Sequence, residues 1–178
     1  MNSIKSNLSK TKLLVLTALL FAVALVLSVV ENSLPSLSLL VPVPGIKLGL
    51  SNIAVMYALF FLDKKPAFAI AVLKGLFVVM TRGPIAGLLS FSGGVLSVLV
   101  MSLLIFVFKD RISYLALSIF GSIMHNVGQF IVVSFIYNNM YLWVYLPVLL
   151  ISGVVAGIAT STLLRFILPA FNRLVSNK

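Results

Sequence analysis

Few side chains in this sequence can do chemistry, and most of those that can are cations and amides set inside apolar runs. Lys74 stands in AIAVLKGLFVV, Lys47 in VPGIKLGL, and Arg82 closes the apolar run that follows Pro66. A charge carried into hydrocarbon costs about 2.5–3.5 kcal/mol on insertion scales. Lys74 must therefore snorkel, pair with an acid, or face a polar cavity, and from halfway along a run snorkelling is hard. The acid best placed to meet it is Glu31. A second polar group, His125-Asn126-Val127-Gly128-Gln129, interrupts a later run. His125 and Gln129 are spaced i, i+4 and share a helix face, with Asn126 rotated one position away. Such a group either lines a cavity or hydrogen-bonds neighbouring helices. Lys47 and Arg82 likewise either anchor at the interface or join the cavity. Taken with Asn52, the residues Lys47, Asn52, Lys74, Arg82, His125, Asn126 and Gln129 form a candidate substrate-binding set that is positive and rich in donors. Its complement is a small anionic or amphipathic metabolite, a carboxylate or phosphate with an apolar part against Phe77, Phe91 and Phe130.

What is missing narrows the function as much. The acids are Glu31, Asp63 and Asp110, the one histidine is His125, and there is no cysteine. No paired-carboxylate DDxxD-like string is present to hold the magnesium ions of a prenyl-diphosphate synthase. No glycine loop of Walker type is present, so any ATP hydrolysis belongs to another chain. No nucleophile–base–acid set is readable. The expectation is a protein with no catalytic residues, metal or cofactor.

The elements that position these residues follow from composition. Of 178 residues 61% are hydrophobic and 9% charged, with a mean hydropathy of +1.22. Soluble domains carry about 25% charged residues, so the chain reads as an integral membrane protein built as a single domain over 1–178. The net charge of +10 is read as membrane topology, without nucleic acid as a partner. The apolar runs predict an all-α bundle of six transmembrane helices over about 13–30, 49–62, 66–80, 85–108, 113–137 and 141–167, the last ended by Pro169. The second is short for a span of roughly 20 residues. The first is retained rather than cleaved as a signal, because it is long and ENSLP is a poor small-residue cleavage site. Placing alternate loops on one side gathers Lys5, Lys10, Lys12, Lys64, Lys65, Lys109, Arg111, Arg165, Arg173 and Lys178 there, ten of the thirteen basic residues. By the positive-inside rule both termini are then cytoplasmic in the cell membrane, with membrane lipid all round. Tyr137, Tyr141, Trp143 and Tyr145 suit an aromatic belt on the outer side.

The Pro/Gly-rich stretch 31–48 is thereby external. Irregular backbone is tolerated only at the water interface or where it lines a protein cavity. Glu31, Pro44, Gly45 and Gly49 are expected to form a loop that caps the site, with Glu31 pairing Lys74 or Lys47. Small residues recur along the helices: Ala18 and Ala22; Gly87, Ser90, Gly94 and Ser97; Ser118, Gly121 and Gly128, with His125 in the same stripe; Gly153, Gly157 and Ser161. Bundle packing is the favoured reading of these stripes.

The strings PGIKLGLSN from Pro44 to Asn52, FSGGVLS from Phe91 to Ser97 and HNVGQ from His125 to Gln129 together resemble the Gx transporter family, whose members often carry the label heptaprenyl diphosphate synthase component I. The resemblance spans about Leu13 to Phe166, with Ser51 where alanine is expected. That family is similar to the substrate-binding S components of energy-coupling-factor (ECF) transporters. The resemblance implies six helices with both termini inside, an external loop that caps a small-molecule substrate, and a separate T component and ATPase subunits as partners. It also implies docking of the T component through an AxxxA pattern on the first helix, here Ala18 and Ala22. A membrane accessory of polyprenyl diphosphate or lipoquinone synthesis, or of a membrane electron-transfer system, is the alternative function. A structural subunit without a ligand is a third.

Overall fold

The computed structural model describes residues 9–33, 50–137 and 140–176. Most of the expected capping loop, including Pro44, Gly45, Lys47 and Gly49, lies outside the described residues. Within them the chain is all-helical: α1 (Lys10–Ser33), α2 (Asn52–Phe61), α3 (Lys64–Arg82), α4 (Pro84–Phe108), α5 (Tyr114–Tyr137) and α6 (Leu146–Ser176). Short 3₁₀ turns at Lys109–Arg111 and Met140–Tyr145 lead into α5 and α6. Four stretches, Lys10–Ser33, Pro84–Phe108, Tyr114–Tyr137 and Trp143–Phe166, are long and apolar enough to cross a membrane. The other two helices differ for physical reasons. α3 is long enough but carries Lys64, Lys65, Lys74 and Arg82. α2 has ten residues, a length typical of buried or re-entrant segments rather than spans.

The boundaries depart from the sequence expectation chiefly in α6. Residues 141–145, expected to open that helix, form the 3₁₀ turn, and the α-helix begins at Leu146, which puts Pro147 in its first turn, where the missing N–H is not needed. Pro169 does not end it: the helix continues to Ser176. A proline forfeits one backbone hydrogen bond and bends the axis, and a long helix with intact turns on both sides can absorb that.

Helix directions can be traced from paired positions. Gly75 lies against Phe91 and Gly94 against Ala71, so α3 and α4 run antiparallel. Gly93 meets His125 and Gly121 meets Met101, which sets α5 antiparallel to α4; Gly153 with Ile123 and Gly157 with Ile119 do the same for α6. The small residues of α4, α5 and α6 therefore sit at helix–helix contacts, where they let backbones approach, whereas Ala18 and Ala22 of α1, expected to pack within the bundle, are exposed. The α3–α4 link needs only Gly83, whose φ of 88° and ψ of 171° fall in a region used essentially by glycine.

α2 is the hub. It touches every other helix of the bundle, and every one of its residues is buried. An apolar helix without a polar face has no surface suited to water. Here its short length lets the five longer helices enclose it. Met56 and Met101 converge on Gly121. At the end where α2 terminates, Phe60 and Phe61 pack on Tyr114 at ring-centroid distances of 5.5 and 6.1 Å. By the same directions Lys64, Lys65, Lys109 and Arg111 collect at that end, which we call the basic end.

The two glycine contacts make a matched test. A Cβ on Gly157 would lie 2.5 Å from the Cα of Ile119, whereas one on Gly94 would lie 3.4 Å from the Cβ of Ala71. Gly157→Ala forces α5 and α6 apart and should cost about 1–3 kcal/mol, while Gly94→Ala should stay within about 0.5 kcal/mol. Thermal unfolding in mild detergent checks this, and equal melting of the two variants contradicts the packing described here.

Candidate functional site

The N-terminus of α2 opens inside the bundle rather than at its surface. Asn52 Nδ2 donates to Ser97 Oγ at 3.0 Å, and Ser97 lies near the middle of α4. On the other side Lys74 Nζ, from the middle of α3, donates to Ser51 Oγ at 3.2 Å. Ser51 sits at the N-cap position but makes no side-chain cap bond to its own helix; its hydroxyl serves Lys74 instead. Lys74 is 1% exposed and Asn52 2%. Such burial is tolerable for an ammonium only with hydrogen bonds and opposite charge nearby. Glu31, itself buried in the last turns of α1, supplies the charge and acts electrostatically on both Lys74 and Arg82.

α5 completes the arrangement. His125 lies within electrostatic reach of Lys74. Its Nε2 is 3.0 Å from Gln129 Nε2, one helical turn away. The amide N–H₂ donates to this nitrogen in the tautomer that carries the ring proton on Nδ1. Nδ1 lies against the Gly93 backbone without a hydrogen bond of good geometry. A side chain at Gly93 would come within 2.7 Å of the His125 carbonyl oxygen, so glycine there lets α4 approach the imidazole. Asn52 Oδ1 is likewise buried without a hydrogen-bond partner.

The structure therefore brings together Asn52, Lys74, His125 and Gln129 of the expected set, with Glu31 beside them. Arg82 stands at the C-terminal end of α3, half-buried, where a cation also complements the helix dipole. Asn126 is turned elsewhere: its Nδ2 donates to Leu149 O at 2.8 Å and to Ser152 Oγ at 3.1 Å, joining α5 to α6. Phe91 packs beside Gly75. Phe130 belongs to a different region, edge-to-face with Trp143 at 5.2 Å. It lines a largely apolar cavity of about 850 Å³ between α5 and α6 together with Ser134, Leu146 and Leu150. Lys47 lies outside the described residues.

Two participants were not singled out by sequence reasoning. Ser51 stood out only as a replacement for alanine, and Ser97 only as one member of a packing stripe. A lone serine in an apolar run reads as a small packing residue; its use as an acceptor depends on which helix it meets.

Chemically, the centre sets two positive features close together, the Lys74 ammonium and the N-terminus of α2, whose dipole is equivalent to about half a positive charge, with the Glu31 carboxylate acting on the ammonium and the Asn52 amide bonded to Ser97. Interrupted helices that end inside a membrane protein place their N-termini toward anionic groups of a ligand. The fold and this centre define an all-α membrane protein with a cationic, donor-rich interior. Comparison with protein families matches residues 20–167 to heptaprenyl diphosphate synthase component I, and the chain belongs to that family. No curated protein and no solved structure matches the chain.

Coupling between Glu31 and Lys74 is testable by a double-mutant cycle. Glu31→Gln and Lys74→Met should each destabilise the protein, and the double variant should recover about 1–3 kcal/mol relative to their sum. Additivity within about 0.3 kcal/mol in detergent melts means that the two groups do not support each other.

Proposed function

We propose that this chain is the substrate-binding membrane subunit of an ECF-type transporter, an S component that captures a small anionic or amphipathic metabolite from outside the cell. The observation that carries the reading is the Lys74–Ser51–Asn52 centre at the buried N-terminus of α2. An ammonium and a helix N-terminus that meet in a low-dielectric interior favour an anionic group beside them, and Glu31 offsets only part of that charge. His125 and Gln129 add polar positions on α5 that can orient the ligand, and Glu31, which belongs to the last turns of α1 rather than to the expected 31–48 loop because the helix runs on to Ser33, ties the end of that helix to Lys74. In this reading the basic end is cytoplasmic, both termini are inside the plasma membrane, and Lys47 and Arg82 contribute positive charge from the outer side. Transport energy comes from a T component and ATPase subunits.

Ala18 and Ala22 support the partner assignment. Both are exposed on a helix whose outer face also presents Leu14, Val15, Leu19, Val23 and Val26. Small residues on an exposed face admit a close-packed partner helix in lipid.

The family name favours a second reading, a non-catalytic membrane accessory of a polyprenyl diphosphate synthase. Under that reading catalysis resides on another subunit. The chain's acids are Glu31, Asp63 and Asp110, spaced too far apart to form a paired-carboxylate motif for magnesium, and Glu31 interacts with Lys74 and Arg82.

The readings part on what accompanies the protein from its native membrane. Extraction in mild detergent followed by native mass spectrometry should find T and ATPase subunits and a small bound anion. Lys74→Met should reduce ligand occupancy at least tenfold. Ala18→Trp combined with Ala22→Trp should release the partner subunits and leave the ligand in place. A prenyl synthase subunit recovered in place of an ATPase supports the second reading, and undiminished ligand in Lys74→Met overturns the site.

A further inference from the structure

At the basic end a furrow runs between the first turns of α3 and the C-terminal half of α4. It encloses about 420 Å³ and is lined by Lys64, Lys65, Phe68 and Ala69 of α3 and Val98, Leu99 and Ser102 of α4. Its two ends differ in chemistry. Both lysines are exposed at the start of α3, with the Ser102 hydroxyl on the opposite wall. Phe68 lies about 4.5 Å further along the α3 axis than Lys65, and Val98 about 6 Å from Ser102 along α4, at 1.5 Å per residue. Phe68 is 43% exposed and Leu99 54%, so the apolar end opens sideways onto the surface that meets lipid. Among the described residues no carboxylate lines the furrow. Lys64 Nζ lies 5.9 Å from the centre of the Phe106 ring, one turn beyond Ser102 on α4, which draws that ammonium toward α4 at the polar end of the furrow.

We propose that this furrow is a binding site for an anionic phospholipid of the surrounding leaflet. The phosphate sits between the ammonium groups of Lys64 and Lys65, the headgroup hydroxyls or glycerol oxygens meet Ser102, and one acyl chain follows Phe68, Val98 and Leu99. The charge complementarity selects the headgroup, and the lateral opening selects a ligand that arrives from the bilayer rather than from water. Each lysine near an anionic lipid surface contributes about a fivefold preference for it. The site is distinct from the polar centre: the lysines lie at the end of α2 opposite Ser51 and Asn52. It stands whichever reading of the chain's function holds.

The test is native mass spectrometry of the full chain in mild detergent, titrated with dioleoyl phosphatidylglycerol, dioleoyl phosphatidylcholine and farnesyl diphosphate in separate arms. The expected result is one tightly retained phosphatidylglycerol, with phosphatidylcholine at least tenfold weaker. Lys64→Gln with Lys65→Gln should lower retention at least tenfold. Lys109→Gln, which removes a cation at the same end but outside the furrow, should change it less than twofold. Leu99→Trp keeps both charges and fills the apolar end, and it should also lower retention. Because all four positions are exposed, the variants retain the bundle, and matching melting temperatures check this. Equal binding of the two phospholipids, equal loss in Lys109→Gln, full retention in Leu99→Trp, or displacement of phosphatidylglycerol by equimolar farnesyl diphosphate each overturns the proposal.

Discussion

A lysine ammonium held near the middle of an apolar bundle is the constraint to which the rest of the molecule answers. Lys74 cannot remain charged there without an acceptor and an opposing charge. The acceptor is Ser51, which places the start of α2 at the level of the lysine. The opposing charge is Glu31, which brings the end of α1 to the same level. Asn52 then reaches Ser97 on α4, and His125 approaches from α5. One buried charge thus sets the depth at which five helices meet, a specification that apolar contacts in lipid do not provide.

Around that centre the two kinds of helix contact divide the work. Small residues bring the long helices together in antiparallel pairs, as at Gly157 on Ile119 and Gly121 on Met101. These contacts determine how closely the helices lie but distinguish poorly between neighbouring registers. The polar bonds settle register: Asn126 to Leu149 and Ser152 fixes α6 against α5, as Asn52 to Ser97 fixes α2 against α4. Asn126 is in this respect a structural residue, although it adjoins His125 in the chain.

The membrane character of the chain, its helices and the anomaly of Lys74 were legible in the sequence because each follows from local composition: apolar run length, prolines, and a charge where none is cheap. The family was legible in the PGIKLGLSN and HNVGQ strings. The partners were harder to see. Asn126 and Gln129 look equivalent on the page, yet one faces α6 and the other stays with His125, a difference set by helix rotation that three residues of spacing do not decide. Phe130, expected with Phe77 and Phe91 to meet the apolar part of a ligand, instead meets Trp143. Pro169 read as a stop signal because proline is costly inside a helix, but that cost is finite and α6 exceeds it.

The brevity of α2 has a further consequence. Its ten residues rise about 15 Å, and all of them are buried. They lie between the polar centre and the basic end, closed at the bottom by the rings of Phe60, Phe61 and Tyr114. Anything resting on the N-terminus of α2 therefore stands on a dry apolar floor as deep as half a bilayer. Under the proposed function, a captured ligand is insulated from the basic end, and its passage there requires the floor to be withdrawn or the whole subunit to be turned.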